Sequence, residues 1–319
     1  MLTTPAAFEA LRQAVKERFD LLTILGPTAS GKTGLAVSLA RLLGAEIISA
    51  DSRQIYRGMD LGTGKDLSEY RRNGEAVPYH LIDILDPKEE FSVFAYQERV
   101  YHCLREIAKR RRLPLLVGGT GLYLDAILSG YRMLAVPRNS SLREFLEDED
   151  MESLRRRYFS LSPNVHNTTD ILDRSRLVRA IEIAEFNREH RLEKPTQVLL
   201  SHLVIGIRCN RDVLRRRITA RLTYRIECGM IDEVRRLHET GIEWGRIESF
   251  GLEYRYIALH LQGKSSFREM FENLNTRIHQ FAKRQDTWFR RMERKGVKIH
   301  WIEEADERSA ISLIEGLLS

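Results

Sequence analysis

Residues Gly26-Pro27-Thr28-Ala29-Ser30-Gly31-Lys32-Thr33 fit G-x-x-x-x-G-K-[ST], a phosphate-cradling loop. The pattern constrains the fold because it works only between a strand and a helix start. Both flanks comply. Leu21-Leu-Thr-Ile-Leu25 reads as a short buried strand, and Leu35, Ala36, Leu39, Ala40, Leu42 and Leu43 recur at helical spacing. The glycines let backbone N–H groups turn inward around phosphate oxygens, and the helix N-terminus adds partial positive charge. Lys32 is expected to reach the outer phosphate and Thr33 to hold Mg²⁺ through its hydroxyl. The loop does not say whose phosphates it holds.

The chain then alternates strand and helix. Ala45–Ala50, Tyr79–Ile84, Pro114–Val117, His202–Ile207 and Val297–Trp301 read as further strands, with a long helix from about Val93 to Arg111. Strands separated by helices imply an α/β fold, a P-loop NTPase-like core whose parallel sheet is flanked by helices. Ligands of such sheets bind beyond the carboxyl ends of the strands. Asp51 and Thr120 directly follow strands and therefore belong at the same edge as the loop. Between about 137 and 199 the composition turns charge-rich and helical, so this segment is expected to be a helical insertion dividing a core of 1–136 and 200–319. The chain after about Asp212 reads as mostly helix.

Composition excludes some classes. Charged residues make up 30% and hydrophobic residues 43% of 319, the balance of a soluble globular protein, and no apolar run approaches a membrane span. The N-terminal residues lack the basic-then-apolar layout of a signal peptide. Cys103, Cys209 and Cys228 are scattered, which fits a reducing cytoplasm and indicates neither a disulfide framework nor a zinc site. A net charge of +6 and a pI near 9.2 suit an acidic partner, although solubility alone accounts for them as well.

Asp51 opens Asp51-Ser52-Arg53-Gln54-Ile-Tyr56. A carboxylate at a strand end beside a phosphate site can coordinate Mg²⁺, act as a general base, or simply cap a turn. Ser52 and Gln54 offer hydrogen bonds suited to a base edge or a ribose. Gly118-Gly-Thr120-Gly-Leu-Tyr123 is a second glycine-rich turn, with Thr120 as a potential donor. The strand before it ends without the acid expected of a nucleotide-hydrolysing site, which His80-Leu-Ile-Asp83 could still supply. From about Phe267 to Arg294 runs a helix with Ile278, Phe281, Ala282, Gln285, Trp288 and Met292 as its expected buried stripe. Lys283, Arg284 and Arg290 are among the basic residues of its other faces. Arg176 and Arg179 form a second basic stripe, in the insertion. Charge runs are more often solvated faces, but on the C-terminal helix basic residues outnumber acidic ones and aromatics are interleaved, so phosphate-backbone binding is expected at least as much.

These motifs, in order from the loop through Asp51–Tyr56, Asp60–Lys65, Leu116–Tyr123, Arg176–Glu182 and Ala282–Arg290, resemble the tRNA dimethylallyltransferases, or tRNA isopentenyltransferases. The absence of a C-terminal zinc finger points to the bacterial form. The resemblance implies transfer of the dimethylallyl group from dimethylallyl diphosphate to N6 of adenosine 37 in tRNA. It implies that residues Gly26 to Thr33 hold diphosphate, that Asp51, Thr28, Lys32 and Thr120 are catalytic, and that Thr33 binds Mg²⁺. It places Asp51, Ser52, Arg53, Gln54, Thr120, Ser175, Arg176, Arg179, Lys283, Arg284 and Arg290 against tRNA, and it suggests a monomer in the cytoplasm.

The sequence departs from the family at three places. Gly-Thr-Ala-Lys-Pro is here Gly62-Thr-Gly64-Lys65-Asp66; an Arg-x-x-Gly-Tyr segment with a diphosphate-binding arginine is here Phe250-Gly-Leu-Glu253-Tyr254-Arg255; and the insertion is short around Leu146–Asp150. Alternatives are an adenylate isopentenyltransferase acting on free AMP, ADP or ATP, an ATP-dependent small-molecule kinase, and a non-catalytic RNA-binding protein. Each predicts a different acceptor, or none.

Overall fold

The computed structural model describes residues 5–71, 76–162, 171–190 and 196–318. In chain order the elements are α1 (Pro5–Arg18), β1 (Leu21–Leu25), α2 (Lys32–Leu43), β2 (Ala45–Ala50), α3 (Leu67–Tyr70), β3 (Tyr79–His80), α4 (Val93–Lys109), β4 (Leu113–Gly118) and α5 (Gly121–Leu128). Then come α6 (Ser140–Phe145), α7 (Met151–Leu161) and α8 (Arg174–His190). The chain continues through β5 (His202–Arg208), α9 (Arg211–Glu227), α10 (Met230–Glu239), α11 (Trp244–Ser249), α12 (Leu252–Leu261), α13 (Phe267–Arg294), β6 (Ile299–Glu303) and α14 (Glu307–Leu318). It divides into two units, Met1–Tyr131 with Val198–Ser319, and Arg132–Gln197.

In the larger unit the strands form one parallel sheet of order β3-β2-β4-β1-β5-β6. Alternate residues of a strand face opposite sides, so a doubly covered sheet is apolar at most positions on both faces. Leu22, Ile24, Leu115, Val117, Ile205 and Ile207 pack on one face with α2 and α14. Leu21, Leu25, Ile48, Leu116 and Val204 pack on the other with α4, α5 and α13. Helices α9 to α13 build a separate apolar cluster around Leu222, Met230, Val234 and Tyr254, which also holds Ile55 and Met59. This is the α/β fold with a P-loop NTPase-like core.

Three expectations shift. The third strand stops at His80, because Leu81 (φ 62°) and Asp83 (φ 55°) take left-handed backbone that no strand accommodates. The last strand pairs from Ile299 to Glu303, two residues later than expected, because Gly296 turns at φ 99° after α13 and Ile299 is the first residue in register with β5. On α13, Phe289 is fully buried, while Phe281 and Trp288 are only half-buried. Phe281 faces a cleft, and Trp288 covers Gly121, where a Cβ would overlap its ring.

The smaller unit packs Leu146, Leu154, Leu177 and Ile181 from α6, α7 and α8. Its Glu182 is buried and binds Arg143, Arg179 and the Asn139 amide. Burial works to raise this carboxyl, but those partners outweigh it and hold it down at about 2. Lys194-Pro195, near the expected end of the insertion, lies outside the described residues.

Candidate active site

Strands β1, β2 and β4 end side by side, so the turns that follow them share one edge. After β1 the loop carries Ala29 at φ 61° and Gly31 at φ 85°. Left-handed residues two apart turn successive amides to one side, which makes an anion-binding concavity at the start of α2. The loop is tied to α13 through Gln285, which accepts from the Thr28 amide (2.8 Å) and donates to the Gly119 carbonyl (2.8 Å). Gly119 must lack a side chain, since a Cβ there would overlap Gln285 Nε2.

The turn after β2 is equally fixed. Asp51 accepts from the Arg53 amide at 3.0 Å through Oδ1, while Oδ2 has no hydrogen-bond partner among the described residues. The Thr120 hydroxyl accepts from the Ser52 amide at 3.2 Å. Gln54 accepts from Ser49 (3.1 Å) and donates to Gly64 O (3.2 Å), joining this turn to the 60–66 loop. That loop rests on Glu233 of α10, whose carboxylate accepts from the amides of Asp60 (2.9 Å), Leu61 (2.7 Å) and Gly62 (3.0 Å) and from Tyr254 (2.7 Å). Buried Lys65 donates to Tyr56 O (2.6 Å) and pairs with Asp60 and Asp83. Asp83 is thus already bound to a cation and is not a free acid for nucleotide hydrolysis.

One cleft gathers Thr28, Lys32, Thr33, Asp51, Arg53, Gln54 and Thr120 from the sequence-derived set. Burial first and then Arg221 lower the Lys32 ammonium from 10.5 to about 8, with Arg225 adding to the fall and Asp51 opposing it. An apolar wall of Leu252, Ile278 and Phe281 completes the lining. The cleft therefore joins an anion cradle, an available carboxylate and a hydrophobic surface.

The IPP transferase family model matches residues 54–292, more than half of the chain, and an isopentenyl transferase model matches residues 19–74. The chain belongs to the IPP transferase family. It is 57% identical to a tRNA dimethylallyltransferase of Syntrophus aciditrophicus over 94% of this chain and 98% of that protein, and 55% identical to one of Geotalea daltonii over 94% and 95%. The solved tRNA isopentenylpyrophosphate transferase of Bacillus halodurans is 32% identical, with a TM-score of 0.66 over 93% of this chain and 94% of that one. A eukaryotic dimethylallyltransferase shares the fold at 22% identity and a TM-score of 0.70, covering 93% of this chain and 76% of that one.

In this IPP transferase the remaining sequence-derived residues are distributed as follows. Lys283, Arg284 and Arg290 are exposed on α13, with Lys283 and Arg290 sharing a groove with Arg211 and Arg215 of α9. Ser175, Arg176 and Arg179 belong to the smaller unit. Ser175 donates to Asp173 (2.8 Å), and the Arg179 guanidinium is engaged by Val136 O (2.7 Å), Pro137 O (3.3 Å) and Glu182 (3.2 Å). Of these three, Arg176 alone presents an exposed side chain with no partner among the described residues.

Sequence reasoning missed Arg221 and Arg225, which line the cleft from α9, and the braces Glu233 and Gln285. A signal for Arg225 was available. On α9 the buried positions are Leu214, Ile218, Leu222 and Arg225, a cation on an apolar stripe. Arg255, considered at the departure after Phe250, is exposed and does not line the cleft. The donor set there suits Mg²⁺: the Thr33 hydroxyl and the Asp51 and Asp66 carboxylates all line the cleft, and such sites are completed by phosphate oxygens and water.

Proposed function

We propose that this chain transfers the dimethylallyl group of dimethylallyl diphosphate to N6 of adenosine 37 in tRNA. The observation that carries the reading is the cleft itself, in a chain of this family: a phosphate loop faces an available carboxylate across an apolar wall. The diphosphate lies against the loop amides, Thr28 and Lys32, with Arg221 beside them. The allylic hydrocarbon lies along Leu252, Ile278 and Phe281, away from water.

As the bond from the allylic carbon to diphosphate oxygen breaks, positive charge grows on carbon and negative charge on the leaving group. Fixed donors at the leaving oxygens stabilise that change most. Thr33 with Asp66 would hold Mg²⁺, which would further neutralise the diphosphate. The adenine N6 lone pair forms the new N–C bond, and the N6 proton passes to Asp51 Oδ2. Thr120, whose hydroxyl oxygen already accepts from Ser52, keeps its own hydrogen free to orient the base. The adenine must leave the anticodon-loop stack to reach this floor. Arg53, Gln54 and Ser52 surround the entering nucleotide, Lys283, Arg284 and Arg290 contact the phosphate backbone, and the insertion contacts the anticodon loop with Arg176 on its exposed surface.

Incubation of the protein, Mg²⁺ and labelled dimethylallyl diphosphate with unmodified tRNA or with AMP tests the reading. Label on tRNA supports it. Label on AMP alone assigns the adenylate reaction, and phosphoryl transfer from ATP in place of prenylation assigns a kinase.

A further inference from the structure

Arg225 occupies an unusual position. It continues the buried stripe of α9 and is 7% exposed. Its Nη2 is sealed from solvent and has no hydrogen-bond partner among the described residues. The Asp66 carboxylate stands 3.9 Å away, beyond hydrogen-bond reach. A guanidinium in this state is costly unless something else satisfies it. Burial, then Arg221, pull its pKa from 12.5 to about 10, while Asp66 and Glu253 act the other way.

The surrounding chain makes room for this cation. Gly64 sits at φ 67°, and a Cβ there would overlap the Nη2 atoms of both Arg225 and Arg221. Any other residue at 64 would push the two guanidinium groups away from the cleft floor they share with Lys32. Gly64 and Asp66 both lie against Arg225.

We propose that Arg225 is a further diphosphate-binding residue, its guanidinium turning from its sealed position beside Gly64 so that the unpartnered Nη2 meets a phosphate oxygen in the cleft it lines. It supplies from α9 the charge that the Phe250–Arg255 segment does not bring to the cleft. The proposal rests on the transferase reading for the identity of the phosphate group, though not for the presence of one. It makes Gly64 and Arg225 a coupled pair, in which the glycine is required only while the arginine is present.

The test is titration of the apo protein with inorganic diphosphate and Mg²⁺ by calorimetry, for wild type, Arg225→Met, Arg225→Lys, Gly64→Ala and Gly64→Ala/Arg225→Met. Arg225→Met is expected to weaken diphosphate binding at least tenfold and leave the KM for tRNA within twofold. Its apo melting temperature should be unchanged or higher, because an apolar chain replaces an unsatisfied buried charge. Arg225→Lys should fall between. Gly64→Ala should weaken binding in the wild-type background and have little further effect beside Arg225→Met. Affinity within twofold of wild type in Arg225→Met would overturn the proposal, and so would a clearly lowered apo melting temperature, which assigns the guanidinium to holding the fold. Failure of the transferase reading appears separately, as wild-type protein that binds diphosphate but labels no tRNA.

Discussion

Lys32 and Asp51 act on one another electrostatically within the cleft. Lys32 is charged below about 8 and neutral above it. Affinity for dimethylallyl diphosphate should therefore hold level up to pH 8 and then fall, by about tenfold per pH unit at most. A binding titration from pH 6.5 to 9.5 checks this, and Lys32→Arg, which stays charged, should lose the step. The linkage has a definite sign. The folded pKa lies below the unfolded value of 10.5, so between about 8 and 10.5 the unfolded chain binds the extra proton. Lys32 then makes the apo protein more stable as pH rises through that window, by up to about 3 kcal/mol, a slope that Lys32→Met should lack in denaturant titrations. Asp51→Asn should lower kcat on tRNA by about 10²- to 10⁴-fold, the usual contribution of a general base, while diphosphate affinity at pH 7 changes little. An equal loss in both would show that Asp51 holds the diphosphate instead.

At the scale of elements, the site depends on α13 as much as on the phosphate loop. Gln285 joins the loop to the Gly119 turn, and its replacement by Leu leaves the Thr28 amide and Gly119 carbonyl without partners. The expected loss is about 1–3 kcal/mol in chemical denaturation, with weaker diphosphate binding, whereas Thr287→Ala on the exposed face should change neither. This also bears on how much could be read from the chain. Strands β1, β2, β4 and β5 were legible because a doubly covered parallel strand is predominantly apolar, even with Thr23, Glu46 and Ser49 buried in β1 and β2, and the loop was legible because its chemistry demands named residues at fixed spacing. Asp51 and Thr120 followed from being at strand ends. The early end of β3 was not legible, because left-handed backbone at Leu81 and Asp83 carries no sequence signature. Gln285 read as one residue of a buried stripe, and its role depends on two carbonyl and amide groups more than 160 residues away in the chain. Glu233 lies in the first turn of α10, an ordinary place for an acid, so nothing in the sequence marks it as the brace of three amides of a distant loop.

For the whole molecule, a net charge of +6 suits an acidic partner, and the basic residues of α13 are where it can be tested. Lys283 and Arg290 are exposed on one α13 face, and Arg284 on another. If they meet tRNA phosphates, the logarithm of affinity against the logarithm of salt should flatten by about 0.7–0.9 per residue removed in Lys283→Ala and Arg290→Ala. Filter binding across a salt series checks this, and a slope equal to wild type would place tRNA elsewhere. Arg179 should behave differently from Arg176. Its guanidinium is held by Val136, Pro137 and buried Glu182, so Arg179→Ala is expected to destabilise the smaller unit, while Arg176→Ala should leave its melting unchanged and lower tRNA affinity.

The proposed reaction moves an allylic group within the cleft to one exocyclic nitrogen of one tRNA base. Mass spectrometry of nuclease digests, after reaction of purified protein with dimethylallyl diphosphate and an unmodified tRNA transcript, tests it most directly when a transcript carrying guanosine in place of adenosine 37 is run in parallel. The expected result is N6-dimethylallyladenosine in the fragment containing position 37, absent from the substituted transcript and from the Asp51→Asn reaction. Modification at another position, or none while diphosphate still binds the cleft, would contradict it.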